Sequence, residues 1–325
     1  MTPSAKRPWH VFYPLGGIIL LALVWSGYWL FASQKAQSLM AEQRQALKAK
    51  GTDIKCESET WGGFPFRFEF RCGAPSLRHT ASDVKITLDT GNLLVVAQAY
   101  NPQHILFFVD GPSRFASNAG TTIEASHKTA RISLNTRLNG EWELSSDVSE
   151  VAIRNFFNAA SLKFFARTQN SQLDLATNVE GLAISNPDSQ PFKIAKAATV
   201  AYTSASILGT ASPLQHVMGR KMPIKVVSFD LAEGAVNLHA EGNLVIDANR
   251  QIEGKLATQT NDIDGLLNIA APIFEISAKD SYAIKSLLNL LGNDPNSSAK
   301  KADLIAKDGE LYWGPFRLTK LEPLF

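Results

Sequence analysis

Between Val11 and Ala32 the chain runs for 22 residues without one charged side chain. An α-helix rises about 1.5 Å per residue, so such a run matches the ~30 Å hydrocarbon core of a bilayer. Trp9, Tyr13, Trp25, Tyr28 and Trp29 crowd its two ends, where amphipathic rings favour the membrane–water interface. The spacing predicts a transmembrane anchor over 11–32, a cytoplasmic tail over 1–10, and a body on the far side of the membrane. A cleaved signal would carry an apolar stretch of about 7–15 residues and a small-x-small site. Lys6 and Arg7 fit its basic start, but the run is too long and ends Trp29-Leu30-Phe31-Ala32-Ser33. The third alternative is a buried helix of a soluble core.

Flanking charge orients the span poorly. Lys6 and Arg7 stand against Lys35, Arg44, Lys48 and Lys50, a count that taken alone keeps the body inside. Long domains translocate largely regardless of flanking charge, and the cysteines favour export. Cys56 and Cys72 are the only two in the chain. Between them Trp61-Gly62-Gly63-Phe64-Pro65-Phe66 signals a turn. After the turn Phe66, Phe68, Phe70 and Cys72 alternate with Arg67, Glu69 and Arg71. A hairpin symmetric about Phe64 sets Cys56 across from Cys72 and Glu57 across from Arg71. Cross-strand Cβ atoms lie ~4.5–5.5 Å apart, near what a disulfide requires. Closing a loop of about 15 residues is worth roughly 3 kcal/mol in the chain-entropy model, and the bond persists in an oxidising compartment such as a periplasm. The alternative is a pair of reduced, buried thiols.

Residues 33–51 read as a helical stalk, with Ala36, Leu39, Met40, Gln43 and Leu47 on one face and Gly51 as a stop. From Thr52 to Ile207 the pattern turns to period two. Val84-Ile86-Leu88, Ile132-Leu134-Leu138, Leu162-Phe164, Leu173-Leu175 and Val200-Tyr202 are separated by turns such as Asn139-Gly140 and Asn186-Pro187-Asp188. Short strands between such turns indicate an antiparallel meander with one buried face. Ala211 to Met222 reads as a short helix or link ended by Pro223, and divides a β-rich domain (52–207) from a second subdomain (208–325). In the latter, strands around Phe229, Leu244 and Leu256 precede helical patches at Ile263–Ala271 and Ser281–Leu291. A hairpin from Leu304 to Trp313, turned by Asp308-Gly309, closes the chain. The length beyond the anchor allows one large domain or two smaller ones. The fold class is therefore mainly β: a transmembrane helix, then a large antiparallel meander forming a groove or a sandwich, with a few short helices near the C-terminus.

A net charge of +2 carries no basic field that would attract nucleic acid. The six histidines are scattered without metal-ligand spacing, and no nucleophile elbow, phosphate loop or dinucleotide glycine fingerprint occurs. Asp262 and Asp264 flank a helix start, where capping accounts for them. No catalytic residue, metal or cofactor is expected, and the chain reads as non-enzymatic. The phenylalanines are more informative. Phe66, Phe68, Phe70, Phe107, Phe164 and Phe229, with Leu244 and Leu256, either fill a sandwich core or line an apolar groove open to a lipid.

The anchor, Trp61-Gly62-Gly63-Phe64-Pro65-Phe66-Arg67 with flanking Cys56 and Cys72, Tyr100-Asn101-Pro102-x-His104 and Asp110-Gly111-Pro112 together resemble a known family. It is an uncharacterised bacterial family of single-pass envelope proteins, a domain of unknown function that carries no assigned site. Gly242-x-Leu244, Asp247, Gly254-x-Leu256 and Asp264-Gly265-Leu266-Leu267 are similar, at the level of fold, to the AsmA-like superfamily. That resemblance implies a β-rich periplasmic protein tied to outer-envelope biogenesis and phospholipid transport through apolar β grooves. The expectation is a single-pass inner-membrane protein with its body in the periplasm. Its partners would be the bilayer, a phospholipid or other acyl-chain ligand, and envelope proteins. Lipid binding or transport, or envelope maintenance, is the leading activity; an adaptor subunit docking an envelope complex is the alternative.

Overall fold

The computed structural model describes residues 13–81, 84–118, 120–154, 156–184, 192–204, 221–274, 276–291 and 299–323. Strands account for 59% of the chain, so the mainly-β expectation holds. The chain folds as two compact units, Met1–Phe107 with Arg114–Thr122, and Phe108–Ser113 with Ile123–Phe325.

The first unit begins with α1 (Tyr13–Ala49), 37 residues and about 55 Å long. The expected anchor and stalk are thus one unbroken helix. Ala32, Gln34, Lys35 and Ala36 bridge them, and these are good helix formers with no breaker among them. Lys48 stands in the last turn, where the helix dipole favours a cation. Gly51 at φ +83° then turns the chain away. Strands β1 (Thr52–Lys55), β2 (Ser58–Gly62), β3 (Arg67–Gly73), β4 (Ser76–Ala81), β5 (Val84–Asp89), β6 (Leu93–Gln98), β7 (Asn101–Val109) and β8 (Ser113–Ser117) follow. β3 lies between β2 and β6, and β1, β4, β5 and β8 pair in that order; all these pairings are antiparallel.

Cys56 and Cys72 form the expected disulfide, with Cα atoms 5.2 Å apart. The register differs from the expectation by three residues: Cys72 pairs with Glu59 and Arg71 with Thr60. The ladder ends at Gly62–Glu69. Gly63 takes φ +100°, where a side chain would be strained, and its carbonyl accepts the Arg67 N–H at 3.0 Å. The turn is therefore centred between Pro65 and Phe66 instead of at Phe64. Cys56 lies just before β2 and reaches Cys72 from beside the ladder.

The second unit is built on β9 (Thr122–Ser126), β10 (Ala130–Thr136), β11 (Trp142–Ile153), β12 (Phe157–Gln169), β13 (Gln172–Ile184), β14 (Phe192–Ser204), β15 (Met222–Glu233), β16 (Val236–Ile246) and β17 (Ile252–Thr260). Two helices, α2 (Ile263–Phe274) and α3 (Ala278–Leu291), precede β18 (Lys300–Lys307), β19 (Glu310–Trp313) and β20 (Phe316–Lys320). From β10 onward each strand pairs antiparallel with its successor. Paired residues share a face, so the register makes transverse rows. Phe164, Thr177, Thr199, Phe229 and Ala240 form one; Ala166, Leu175, Ala201, Val226, Gly242 and Leu256 form the next on the same face. Toward β16–β20, Trp313 and Val236 pack with Ile263, Leu266 and Leu267 of α2 and Ile284 of α3. Asp262 caps α2, accepting the Gly265 N–H at 3.0 Å.

Leu138, expected on a strand, is an exposed residue of the turn after β10. The Asn186-Pro187-Asp188 turn and the division at 207/208 lie outside the described residues. So do residues 211–220 of the expected link; Lys221 is described, and Met222 with Pro223 begins β15 and pairs with β16. Pro223 thus stands at the start of a strand, so the expected helix or link does not run up to it; its missing N–H is tolerated there.

Candidate functional site

In the first unit, alternation along β3 puts Phe68, Phe70 and Cys72 on one face. The ladders set Ala97 against Phe68, and Val95 and Trp61 against Phe70. The result is an apolar face at the middle of a three-stranded ladder. α1 lays a stripe with three- and four-residue spacing against it: Trp25, Trp29, Ala32, Ser33, Ala36, Met40 and Arg44 are the residues it withdraws from solvent, together with Ser26.

Three aromatic side chains of the helix hydrogen-bond to backbone carbonyls of the β structure. Trp25 Nε1–H donates to Pro65 O at 2.8 Å, Tyr28 O–H to Ala99 O at 2.9 Å, and Trp29 Nε1–H to Arg67 O at 2.9 Å. The Trp29 ring stacks on Phe68 at 5.8 Å and meets Phe64 edge-on at 5.3 Å. Higher on the helix, Arg44 binds Glu59 at 2.7 Å, approaches the Cys56 sulfur at 3.7 Å, and lies over the Phe70 ring at 5.4 Å. β3 therefore climbs α1 from Trp29 to Arg44. Glu69 is buried on the opposite face of β3, held between Arg67 and Arg71.

Helix and ladder do not close completely. Between them is a cavity of about 490 Å³, walled by Tyr28, Phe31, Ala32, Ala36, Leu39 and Met40 of α1, by Trp61, Phe68, Phe70, Val95 and Ala97, and by Pro102 and Ile105 of β7. Lys35 is the sole charged residue on its wall. This size falls within the range of about 300–1,000 Å³ typical of small-molecule sites, and an apolar lining with one polar group is their usual character.

The eight residues expected to share one groove fall in several places. Phe68 and Phe70 line the cavity. Phe66 is 66% exposed at the turn between β2 and β3. Phe107 is half-buried in β7. Phe164, Phe229, Leu244 and Leu256 share one face of the second unit. Sequence reasoning took Trp25, Tyr28 and Trp29 as interface markers and Arg44 only as flanking charge. The 25/28/29 spacing, which sets all three on one helical face, was the available signal.

Several polar groups elsewhere pair with one another. Ser113 Oγ lies 2.9 Å from His127 Nε2, whose ring is turned by the Lys128 carbonyl on Nδ1. His127 borders an open, polar depression with Asp110, Arg131 and Asp147, but Ser113 is not on its wall. Hydrogen bonds from Arg167 and Gln172 hold the Asp174 carboxyl below its ordinary value. A hydrogen bond to Glu310 raises the Tyr312 hydroxyl. Among the described residues no group of three His, Cys, Asp or Glu side chains is placed to hold a metal ion.

These features define a class: a β-rich protein led by a helix long and apolar enough to span a membrane, with the helix's second half packed against a disulfide-pinned hairpin. The chain belongs to the family described as "uncharacterized protein conserved in bacteria (DUF2125)", which it matches over residues 29–322. No curated protein and no solved structure matches it, and no comparison shows the expected likeness to the AsmA-like superfamily.

Proposed function

We propose that α1 holds this protein in the bacterial inner membrane with its body in the periplasm, and that the body accommodates an acyl chain of a phospholipid in the cavity between α1 and β3, without catalysing a reaction. The observation that carries this reading is the position of the cavity. Its apolar wall is formed by the same helix whose preceding residues, Tyr13 to Val24, are exposed on every side. Phe31, 72% exposed, lies at the join. The Cys56–Cys72 bond supports an oxidising compartment. The hydrogen bonds from Trp25, Tyr28 and Trp29 support retention of the helix, since cleavage beyond it would strip the hairpin of three partners.

A chain moving from the bilayer into this cavity exchanges one apolar surrounding for another, so there is little hydrophobic gain or cost. Exposing it to water instead costs about 0.8 kcal/mol per CH₂, or roughly 6 kcal/mol for eight methylenes. The arrangement thus favours exchange with a membrane over permanent capture. Lys35 offers a charge partner for the phosphate.

Purification of the full chain in mild detergent followed by lipid mass spectrometry tests the reading. The native chain should carry phospholipid, and Ala36→Trp, which fills the cavity, should lose it. A native chain free of lipid would overturn it; a stable protein partner in place of lipid would favour the adaptor role.

A further inference from the structure

We propose that the turn between β2 and β3 is sunk into the far leaflet of the bilayer that α1 spans, so that Phe64, Phe66 and Tyr100 lie among acyl chains instead of in water. This rests on the reading of α1 as a membrane span and adds a second point of contact with the bilayer. The argument begins with length. Only Tyr13 to Val24 of the helix is free of protein on all sides, and twelve residues rise about 18 Å against a hydrocarbon core of about 30 Å. Trp25, the next residue, already bonds to Pro65 at the turn. Charge limits any shift: Arg7 precedes Trp25 by 18 residues, a run that would rise about 27 Å if helical throughout. A run of that length, with Arg7 at the inner boundary, would leave Trp25 below the outer one. Tilting the helix only deepens it.

The chemistry of the turn agrees. Non-helical backbone survives at membrane depth only where its polar groups are satisfied within the protein. The Pro65, Arg67 and Ala99 carbonyls accept from Trp25, Trp29 and Tyr28. Those of Gly63 and Phe66 accept from the N–H groups of Arg67 and Ala99. The large side chains, by contrast, face outward: Phe64 is 57% exposed, Phe66 66% and Tyr100 68%. Farther along β3, Arg67 and Arg71 pair with Glu69, and in this placement their long basic side chains would reach the headgroup region. Phe64 meets Trp29 of α1 edge-on and Pro65 accepts from Trp25, so this exposed aromatic group adjoins the helix that carries the exposed apolar run, which is why a lipid leaflet is the occupant it fits.

The test uses the full native chain reconstituted in vesicles of phosphatidylcholine and phosphatidylglycerol, doped with phosphatidylcholine bearing a diazirine within its acyl chain. After illumination, labelled peptides are mapped by mass spectrometry. Label is expected on residues 13–24 and also on the peptide holding Phe64 and Phe66. Label on 13–24 with none on the turn overturns the proposal while leaving the span intact. No label on 13–24 refutes the span, and the proposal with it. A nitroxide at Phe66→Cys gives an independent depth. It should be shielded from a water-soluble relaxant like a label at Leu20→Cys; accessibility equal to that at Glu42→Cys would count against insertion.

Discussion

Replacing Trp29 should detach the helix from the hairpin more effectively than any other single change. Its side chain is 9% exposed and does two things: it fills the space between Phe64 and Phe68, and it donates to the Arg67 carbonyl at 2.9 Å. Removing a buried Trp side chain costs about 3–5 kcal/mol. Trp29→Phe separates the two roles, because it keeps an aromatic ring and leaves the carbonyl without its donor, at about 1–3 kcal/mol. The first unit holds the residues of α1 and eight strands, for which 1 kcal/mol moves the melting midpoint by roughly 4 °C. Trp29→Ala should therefore melt roughly 12–20 °C below the native chain in mild detergent, and Trp29→Phe roughly 4–12 °C below it. Circular dichroism with hydrogen exchange of β2 and β3 reads both the midpoint and its location. A loss under about 1 kcal/mol for Trp29→Ala, or equal losses for the two variants, would refute the account of Trp29 as filler and donor combined.

Other expectations follow from single features. Replacing Cys56 and Cys72 together by alanine removes a cross-link spanning 16 residues and should lower stability by about 3 kcal/mol, read as a shifted denaturant midpoint. The Asp174 carboxyl has a native pKa depressed chiefly by Arg167, then Gln172. Its contribution is fully present above the ordinary Asp value of about 4 and is lost as pH falls through the lowered native value. Asp174→Asn should thus be less stable at neutral pH and show a flatter melting profile below about pH 4; parallel native and variant profiles would count against it. Gly242 and Gly254 adopt φ +154° and +131°, and a Cβ at either would press on the carbonyl of Lys255 or Asn243 across the ladder. Alanine at either site should cost about 1–3 kcal/mol, whereas Gly62→Ala, with open space around it, should be near neutral.

The elements that were legible in the sequence are those set by local pattern. Period two marked the strands, Asp262 the start of α2, Asp308-Gly309 the last hairpin, and the 22 uncharged residues the helix. The cysteine pairing was legible too, while its register was not, because register follows turn geometry. Gly63, with Pro65 unable to donate, moved the centre of that turn by a residue and a half. The glycine–leucine spacings noted as a family likeness have a backbone cause: Gly242 pairs with Leu256 and Gly254 with Leu244 across one ladder. The cavity was only half legible. Phe68 and Phe70 were identified, but the other wall is α1, about 30 residues earlier, and no periodicity within a strand reports that partner. Phe164 and Phe229 were grouped with them by residue type alone; the register ties them instead to the second unit.

The second unit also bears on how such a chain comes to be folded. From β10 to β20 every strand finds its partner in the strand made just before it, with residues 205–221 and the α2–α3 segment as the longest stretches between partners. Contacts that close over short stretches of chain carry small loop-closure costs and form fast. Each strand can join the ladder as soon as it leaves the synthesis machinery, without waiting for a distant segment. The edge left waiting is always the newest one, and its partner is the next to emerge. A unit assembled in this order can form one hairpin at a time, each completed before the next emerges.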